Sequence, residues 1–183
     1  MAPPIDPTRY GCLPAATSVK IRLERPEDAP AIRTLTDAAF KNVHHRAHTE
    51  ARIVDALRSS GALTLSLVAL DGSDIVGHAA FSPVRIDAAP GDWYGLGPVS
   101  VKPNRQRRGF GEALVRAGLH RLRSVGAAGC VVLGDPAYYS RFGFESSAAL
   151  VYRDAPAGYF QWLAFGGPAP TGEVTYHPSF DVA

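Results

Sequence analysis

The sequence predicts a three-layer α/β (α+β) domain built on a mixed sheet, and three observations lead there. Two apolar runs of strand length, 63–70 and 75–81, flank Asp71-Gly72-Ser73-Asp74 and read as a hairpin. The stretch from Gly109 to about Val125 carries Leu114, Val115, Leu119, Leu122 and Val125 at helical spacing. Directly after it, Cys130-Val131-Val132-Leu133 is wholly apolar and bounded by Gly129 and Gly134, as a buried parallel strand would be. Strand and helix periods that alternate within one chain of 183 residues place helices over a single sheet.

The remaining elements follow in chain order. Residues 1–18 hold four prolines and little periodicity, and read as a flexible leader. Val19 to Leu23 alternates as a strand, and Pro26 with Glu27 and Asp28 suits a helix start. Residues 31, 32, 35, 38 and 39 then form one helical face. A polar stretch, 42–48, precedes Thr49, a suitable cap for a helix from Glu50 to about Arg58. Beyond the hairpin, 82–92 reads as a Pro/Gly/Asp loop. Tyr94 to Val101 is a strand weakened by Gly95, Gly97 and Pro98. Pro136 to Phe142 is a short helix ended by Gly143, and 150–152 and 159–165 are strands. Residues 19–165 thus form one domain. The extension 166–183 is expected to pack on it or on a partner subunit, which leaves a homodimer open.

Composition excludes several classes. Two cysteines allow at most one bridge, so a disulfide scaffold is ruled out. No window approaches 18 uninterrupted apolar residues, and the start lacks a basic and apolar signal pattern, so a cytoplasmic protein is expected. His44, His45 and His48 lie close together, but without cysteine or a recognised ligand spacing they predict no metal. Charge is informative once it is located. Between Lys102 and Arg123 there are seven basic residues and one acid, Glu112, while the rest of the chain is net −4. A focused positive segment on a mildly acidic body suits a compact anion. Aromatic residues do not interleave with it, so nucleic acid is not the expected partner.

The sharpest motif lies inside that segment. A strand ending at Val101 runs into Gln106-Arg107-Arg108-Gly109-Phe110-Gly111-Glu112, where two glycines open a helix. Helix N-termini present unpaired N–H groups, and glycine lets an anion approach the backbone. Neither the P-loop nor the dinucleotide fingerprint is present.

Gln106-Arg107-Arg108-Gly109-Phe110-Gly111 resembles the Gln/Arg-x-x-Gly-x-Gly/Ala motif of the GCN5-related N-acetyltransferases (the GNAT superfamily). A second match supports it: Gly134-Asp135-Pro136-Ala137-Tyr138-Tyr139-Ser140-Arg141-Phe142-Gly143-Phe144 resembles the later Tyr-x-x-x-Gly-Phe element, in the form of a bacterial subgroup. The resemblance implies the acyl-CoA N-acyltransferase fold. Its central sheet is mostly antiparallel, opens in a V beside a parallel strand, and carries helices on both faces. It further implies acetyl-CoA as co-substrate, an amine acceptor and direct transfer in a ternary complex. Cofactor contacts would come from Val99, Val101, Gln106, Arg107, Arg108, Gly109, Gly111 and Glu112. Many relatives have Asn after the fifth strand, where this chain has Gly134-Asp135-Pro136.

The chemistry needs a neutral amine and a proton for the departing thiolate. Tyr139 matches the family's proton donor; a phenol, with an ordinary pKa of about 10, is protonated at neutral pH. Tyr138 beside it reads as a core aromatic. Glu50 either binds or deprotonates the amine, or is an acid favoured by its helix dipole. His78, Asp92, His177 or a water chain are alternatives for the base. Late aromatic residues pack the sheet or line an acceptor, and 166–183 is placed to cross the acceptor cleft. A catalytically silent acyl-CoA sensor is the second reading; it would keep Gly109 and Gly111 without needing Tyr139.

Overall fold

Strands and helices follow in the order β1 (Lys20–Leu23), α1 (Ala29–Phe40), α2 (Glu50–Ser59), β2 (Leu65–Asp71), β3 (Asp74–Ile86) and β4 (Ala89–Val101). Then come α3 (Phe110–Ser124), β5 (Gly129–Leu133), α4 (Pro136–Tyr139), β6 (Leu150–Val151), β7 (Phe160–Ala164) and β8 (Gly172–Thr175). The structure, a computed structural model, describes residues 19–41, 49–153, 155, 156 and 158–181. The leader with Cys12, and His44, His45 and His48, lie outside those residues. Among the described residues no helix is long and apolar enough to cross a membrane.

The sheet runs β1-β2-β3-β4-β5-β7, antiparallel at every step except β4–β5. β8 extends it, pairing with the far end of β3 and, in parallel, with β6. The middle strands are largely apolar because both of their faces are covered. In β2, Leu67, Val68 and Ala69 are all fully buried. Leu67, Ala69, Ala79 and Phe81 pack with Leu114, Val115, Leu119 and Leu122 of α3. On the opposite face Val68 and Ala80 meet Ile32 of α1 and Val54 of α2. These two contacts make the three layers.

Several expectations need correction. The segment 82–92 is no loop: β3 and β4 continue as a long hairpin that turns at Asp87 and Ala88, both at positive φ (52° and 61°). Their left-handed geometry matches the strand twist, a role usually given to Asn or Gly. Thr49 makes no capping hydrogen bond, since its backbone is already helical rather than extended. The helix after β5 shortens to α4, followed by a 3-10 turn at Ser140–Phe142.

The sheet is interrupted where β4 leaves β5. β5 pairs with β4 only from Trp93 to Leu96. Between the pairs Ala79↔Val99 and Phe81↔Leu96 lie one residue of β3 and two of β4, so Gly97 and Pro98 form a bulge. Pro98 has no N–H to give to a ladder. Past this point β5 keeps β7 as its partner, and among the described residues Gly97 to Val101 have a strand neighbour on the β3 side only.

Between the sheet and α2 lies a buried polar cluster. Ser66 donates to Glu24 Oε2, while Arg58 Nε donates to Glu24 Oε1 at 2.7 Å. Having given its one proton, the Ser66 hydroxyl accepts from His78 Nε2 at 2.8 Å. This fixes the Nε2–H tautomer and leaves Nδ1, fully buried, without a hydrogen-bond partner among the described residues. Charging the ring would bury an unmatched N–H, so burial lowers the His78 pKa from 6.5 to about 4; Glu24 opposes the shift and Arg58 adds to it. The folded state therefore binds fewer protons than the unfolded one between those values. Stability is full above about pH 6.5 and falls toward pH 4, by about 3 kcal/mol at the limit. Urea midpoints at pH 7.5 and 4.5 for the wild type and His78→Gln should show a distinctly flatter pH dependence in the variant. Equal slopes would remove His78 as the cause.

Candidate active site

The turn between β4 and α3 is built to expose its amides. Arg107 takes φ +58°, an uncommon choice for a side chain of its size, and Gly109, the N-cap, takes φ +86°. Alternation of this kind turns successive N–H groups inward and makes an anion-binding concavity. Ala113 donates to the Gly109 carbonyl at 2.9 Å, so the amides of Phe110, Gly111 and Glu112 precede the first helical bond. A cleft of about 550 Å³ opens in front of them. Gln106, Arg107, Gly109, Gly111 and Glu112 line one side, and Val99 and Val101 another.

The three arginines of this turn have separate tasks. Arg105 is held by Asp71 at 3.0 Å and anchors the turn to the end of β2. Arg107 lines the cleft. Arg108 is exposed, with its guanidinium 6.0 Å from the Phe110 ring centre, and does not line it. Glu112 pairs with Arg116 at 2.8 Å, one turn further along α3.

Backbone direction along β4 explains the second wall. Lys102 N donates to Val76 O on the β3 side at 2.9 Å. Peptide groups alternate along a strand, so the N–H groups of Val99 and Val101 face the gap that β5 leaves. On that same edge the Val101 carbonyl accepts from Gln106 Nε2 at 3.2 Å.

Both tyrosines of α4 line this cleft, together with Arg141. Tyr138 is therefore not the plain core aromatic that the sequence suggests. A Cβ placed on Gly111 would stand 3.0 Å from its hydroxyl, so that hydroxyl lies over the first turn of α3. Burial raises the Tyr138 phenol above its ordinary pKa, against the pull of Arg141, whose guanidinium sits 4.8 Å from the ring centre. The Tyr139 ring lies directly on Gly134, where any Cβ would collide with it, and meets Phe144 edge-on at 5.8 Å. Asp135, the departure from the family pattern, caps α4 by accepting from Ala137 N at 2.9 Å.

Glu50 lies apart from this cleft, in a slot of about 100 Å³. It is the first residue of α2 and only 4% exposed. Gly97, Pro98 and Leu133, at the β4–β5 divergence, form the floor nearest the cleft. Tyr152, Tyr176 and Phe180 close the other side. The sequence offers Tyr152 as one of several late aromatic residues that either pack the sheet or line an acceptor, and Tyr176 and Phe180 only as part of the 166–183 extension. Of the alternative bases, His78 is buried in its own cluster, and His177 Nδ1 is engaged with Ser179 at 2.9 Å. Among the described residues no group of three His, Cys, Asp or Glu side chains could hold a metal.

Comparison with known proteins agrees with this architecture. Residues 20–147 match the family model described as an acetyltransferase (GNAT) domain. The uncharacterized N-acetyltransferase YhbS of Escherichia coli K12 is 43% identical over 129 residues, covering 70% of this chain and 74% of YhbS. A GNAT family acetyltransferase from Brucella melitensis, crystallised with acetyl-CoA, is 52% identical and superposes with a TM-score of 0.81 over 90% of this chain and 99% of that one. The crystal structure of E. coli YhbS with CoA gives a TM-score of 0.83 at 38% identity, covering 94% and 96%. Two glycines opening a helix beside a parted pair of strands, in a fold shared with these relatives, make this chain a member of the GNAT acetyltransferase family.

Proposed function

We propose that the protein transfers an acetyl group from acetyl-CoA directly to a primary amine held in the same complex. The parted β4–β5 pair carries this reading: an amide-lined cleft lies on one flank and a carboxyl-bearing slot on the other. The turn amides from Phe110 to Glu112, with Arg107, receive the pyrophosphate. Val99 and Val101 offer edge N–H groups to the pantetheine arm, and the Val99 N–H polarises the thioester oxygen. The acetyl-CoA complex of the Brucella melitensis relative supports the choice of cofactor.

In the transfer, the amine nitrogen forms a bond to the acetyl carbon as the carbon–sulfur bond breaks. Glu50 takes up the amine proton, directly or through water, and Tyr139 gives its phenolic proton to the sulfur. Tyr138 supports the cofactor side, since its hydroxyl stands over Gly111 rather than toward the slot.

Calorimetry with acetyl-CoA tests the cleft. Gly111→Asp puts a negative charge and a side chain where the phosphate belongs, and binding should be lost; unchanged affinity in the folded variant would dismiss the assignment. Tyr139→Phe keeps the ring, so stability should change by no more than about 1 kcal/mol. Its kcat should fall toward the low end of the roughly 10²–10⁴-fold range for a positioned general acid, because thiols leave readily. Wild-type turnover across the pH range would leave Tyr139 a packing residue. Gly134→Ala should displace the same ring and cost about 1–3 kcal/mol of stability besides activity, whereas Tyr139→Phe should reduce activity alone.

A further inference from the structure

We infer that Arg141 grips the diphosphate of the cofactor from the α4 side and, through the turn it stands on, sets the phenol of Tyr139 for transfer. The inference rests on the acetyltransferase reading above and adds a coupling within that site. Occupancy of the phosphate end orders the proton donor at the thioester end.

Charge is the first argument. The acids around the α3 turn are already matched: Asp71 holds Arg105, and Glu112 holds Arg116. Arg107 and Arg141 both line the cleft, both are exposed, and neither forms an ion pair with a described residue. They enter from separate places, the turn between β4 and α3 and the turn that follows α4. Two guanidiniums at one opening, with no carboxylate left to share, suit an anion with two charged groups. A diphosphate offers oxygens to both, and a guanidinium fork matches phosphate geometry.

Side-chain contact is the second. The Arg141 guanidinium lies 4.8 Å from the centre of the Tyr138 ring, and Tyr138 meets the Tyr139 ring edge-on at 5.0 Å. The Tyr138 hydroxyl overhangs the first turn of α3, on the phosphate side. Burial raises that phenol above its ordinary range, so it stays protonated and can donate there. Tyr139 lies toward the other end, its ring against Gly134 just past β5. Contacts thus run from the phosphate to Arg141 and Tyr138, and from Tyr138 to Tyr139.

The backbone is the third. The N–H groups of Tyr138 and Tyr139 both donate to the Asp135 carbonyl, at 3.0 and 3.1 Å, and Gly143 N closes the next turn on Ser140 O at 2.9 Å. Beneath them Phe142, only 8% exposed, meets both tyrosines, with ring centres 5.5 and 6.3 Å away. Residues 138–141 therefore shift as one piece, and a pull on Arg141 carries Tyr139 with it. Binding energy from the non-reacting end of the donor is used to orient the reacting end. Arg141 is in this sense a cofactor ligand and a positioning residue for Tyr139.

The experiment places 3-fluorotyrosine at position 139 of the full chain and follows its fluorine resonance during titration with inorganic pyrophosphate, pantetheine or CoA. Pyrophosphate has no arm to reach Tyr139, so a shift it causes arrives through α4. With no other change in the chain, pyrophosphate should shift the resonance and CoA should shift it further. Arg141→Gln should weaken pyrophosphate and CoA by about 10-fold or more, as for a lost hydrogen bond to a charged group, and leave pantetheine affinity unchanged. At saturation its pyrophosphate shift should be gone. Arg107→Gln should also weaken pyrophosphate yet keep the full shift at saturation, which a general loss of positive charge would not. Arg141 is exposed, so glutamine should fold there. Arg141→Lys, which keeps the charge without the fork, should fall between glutamine and the wild type in both readings. A pyrophosphate shift that persists in saturated Arg141→Gln, or is lost equally in Arg107→Gln, would overturn the inference. So would a wild-type protein that binds pyrophosphate without a shift, or CoA without pyrophosphate. Each of those outcomes leaves the transferase reading standing; absence of CoA binding overturns that reading as well.

Discussion

The parallel ladder between β4 and β5 ends after Leu96 and Val132, and the site is arranged around that ending. A sheet interior normally satisfies every amide by pairing strand with strand. Here the bulge at Gly97 and Pro98 removes that option for the last residues of β4, while β3 continues to hold them from the other side. The edge that results is internal. It lies inside the width of the sheet, between the layer that carries α3 and the layer that carries α1 and α2. An exposed edge of equal length at the rim of a sheet would invite pairing with another chain.

Two layers meet this gap with different chemistry. On the α3 side the contribution is largely backbone: amides of the Arg107–Glu112 turn, edge groups of Val99 and Val101, and glycines that keep the approach clear. On the α2 side it is side chain: one carboxyl and three aromatic rings. Backbone recognition is indifferent to most substitutions provided the turn keeps its shape, which explains why a short glycine motif suffices to define it. Side-chain recognition depends on identity at each wall position, so the second flank is where relatives of one fold can differ in acceptor.

Legibility in the sequence divides along the same line. The glycine pair, the apolar run of β5 and the stripe of α3 are local patterns, and the structure places them as local reasoning would. The long hairpin is misjudged because Asp87 and Ala88 adopt a turn that their residue types do not announce, and because Pro83 and Pro90 argue against strands when read alone. Arg105, Arg107 and Arg108 are equivalent as letters. Only the fold distinguishes the one tied to Asp71 from the one lining the cleft. Tyr138 is undervalued for a similar reason: its neighbour matches a motif, and nothing in the sequence shows that its hydroxyl overhangs Gly111. The slot is legible only in outline: which of the late aromatic residues stand beside Glu50 depends on walls that join α2 to residues far along the chain.

That last distance has a consequence for how the molecule matures. Glu50 and Phe180 are 130 positions apart, yet they line the same slot. Contacts of such separation carry a large loop-closure cost and form late in folding. The turn that opens α3 and the strand it follows are close in sequence and can assemble early. A partly opened molecule would therefore keep the cleft in front of the α3 turn while the slot beside Glu50 has come apart, with β8 and its adjoining turn among the first parts to open.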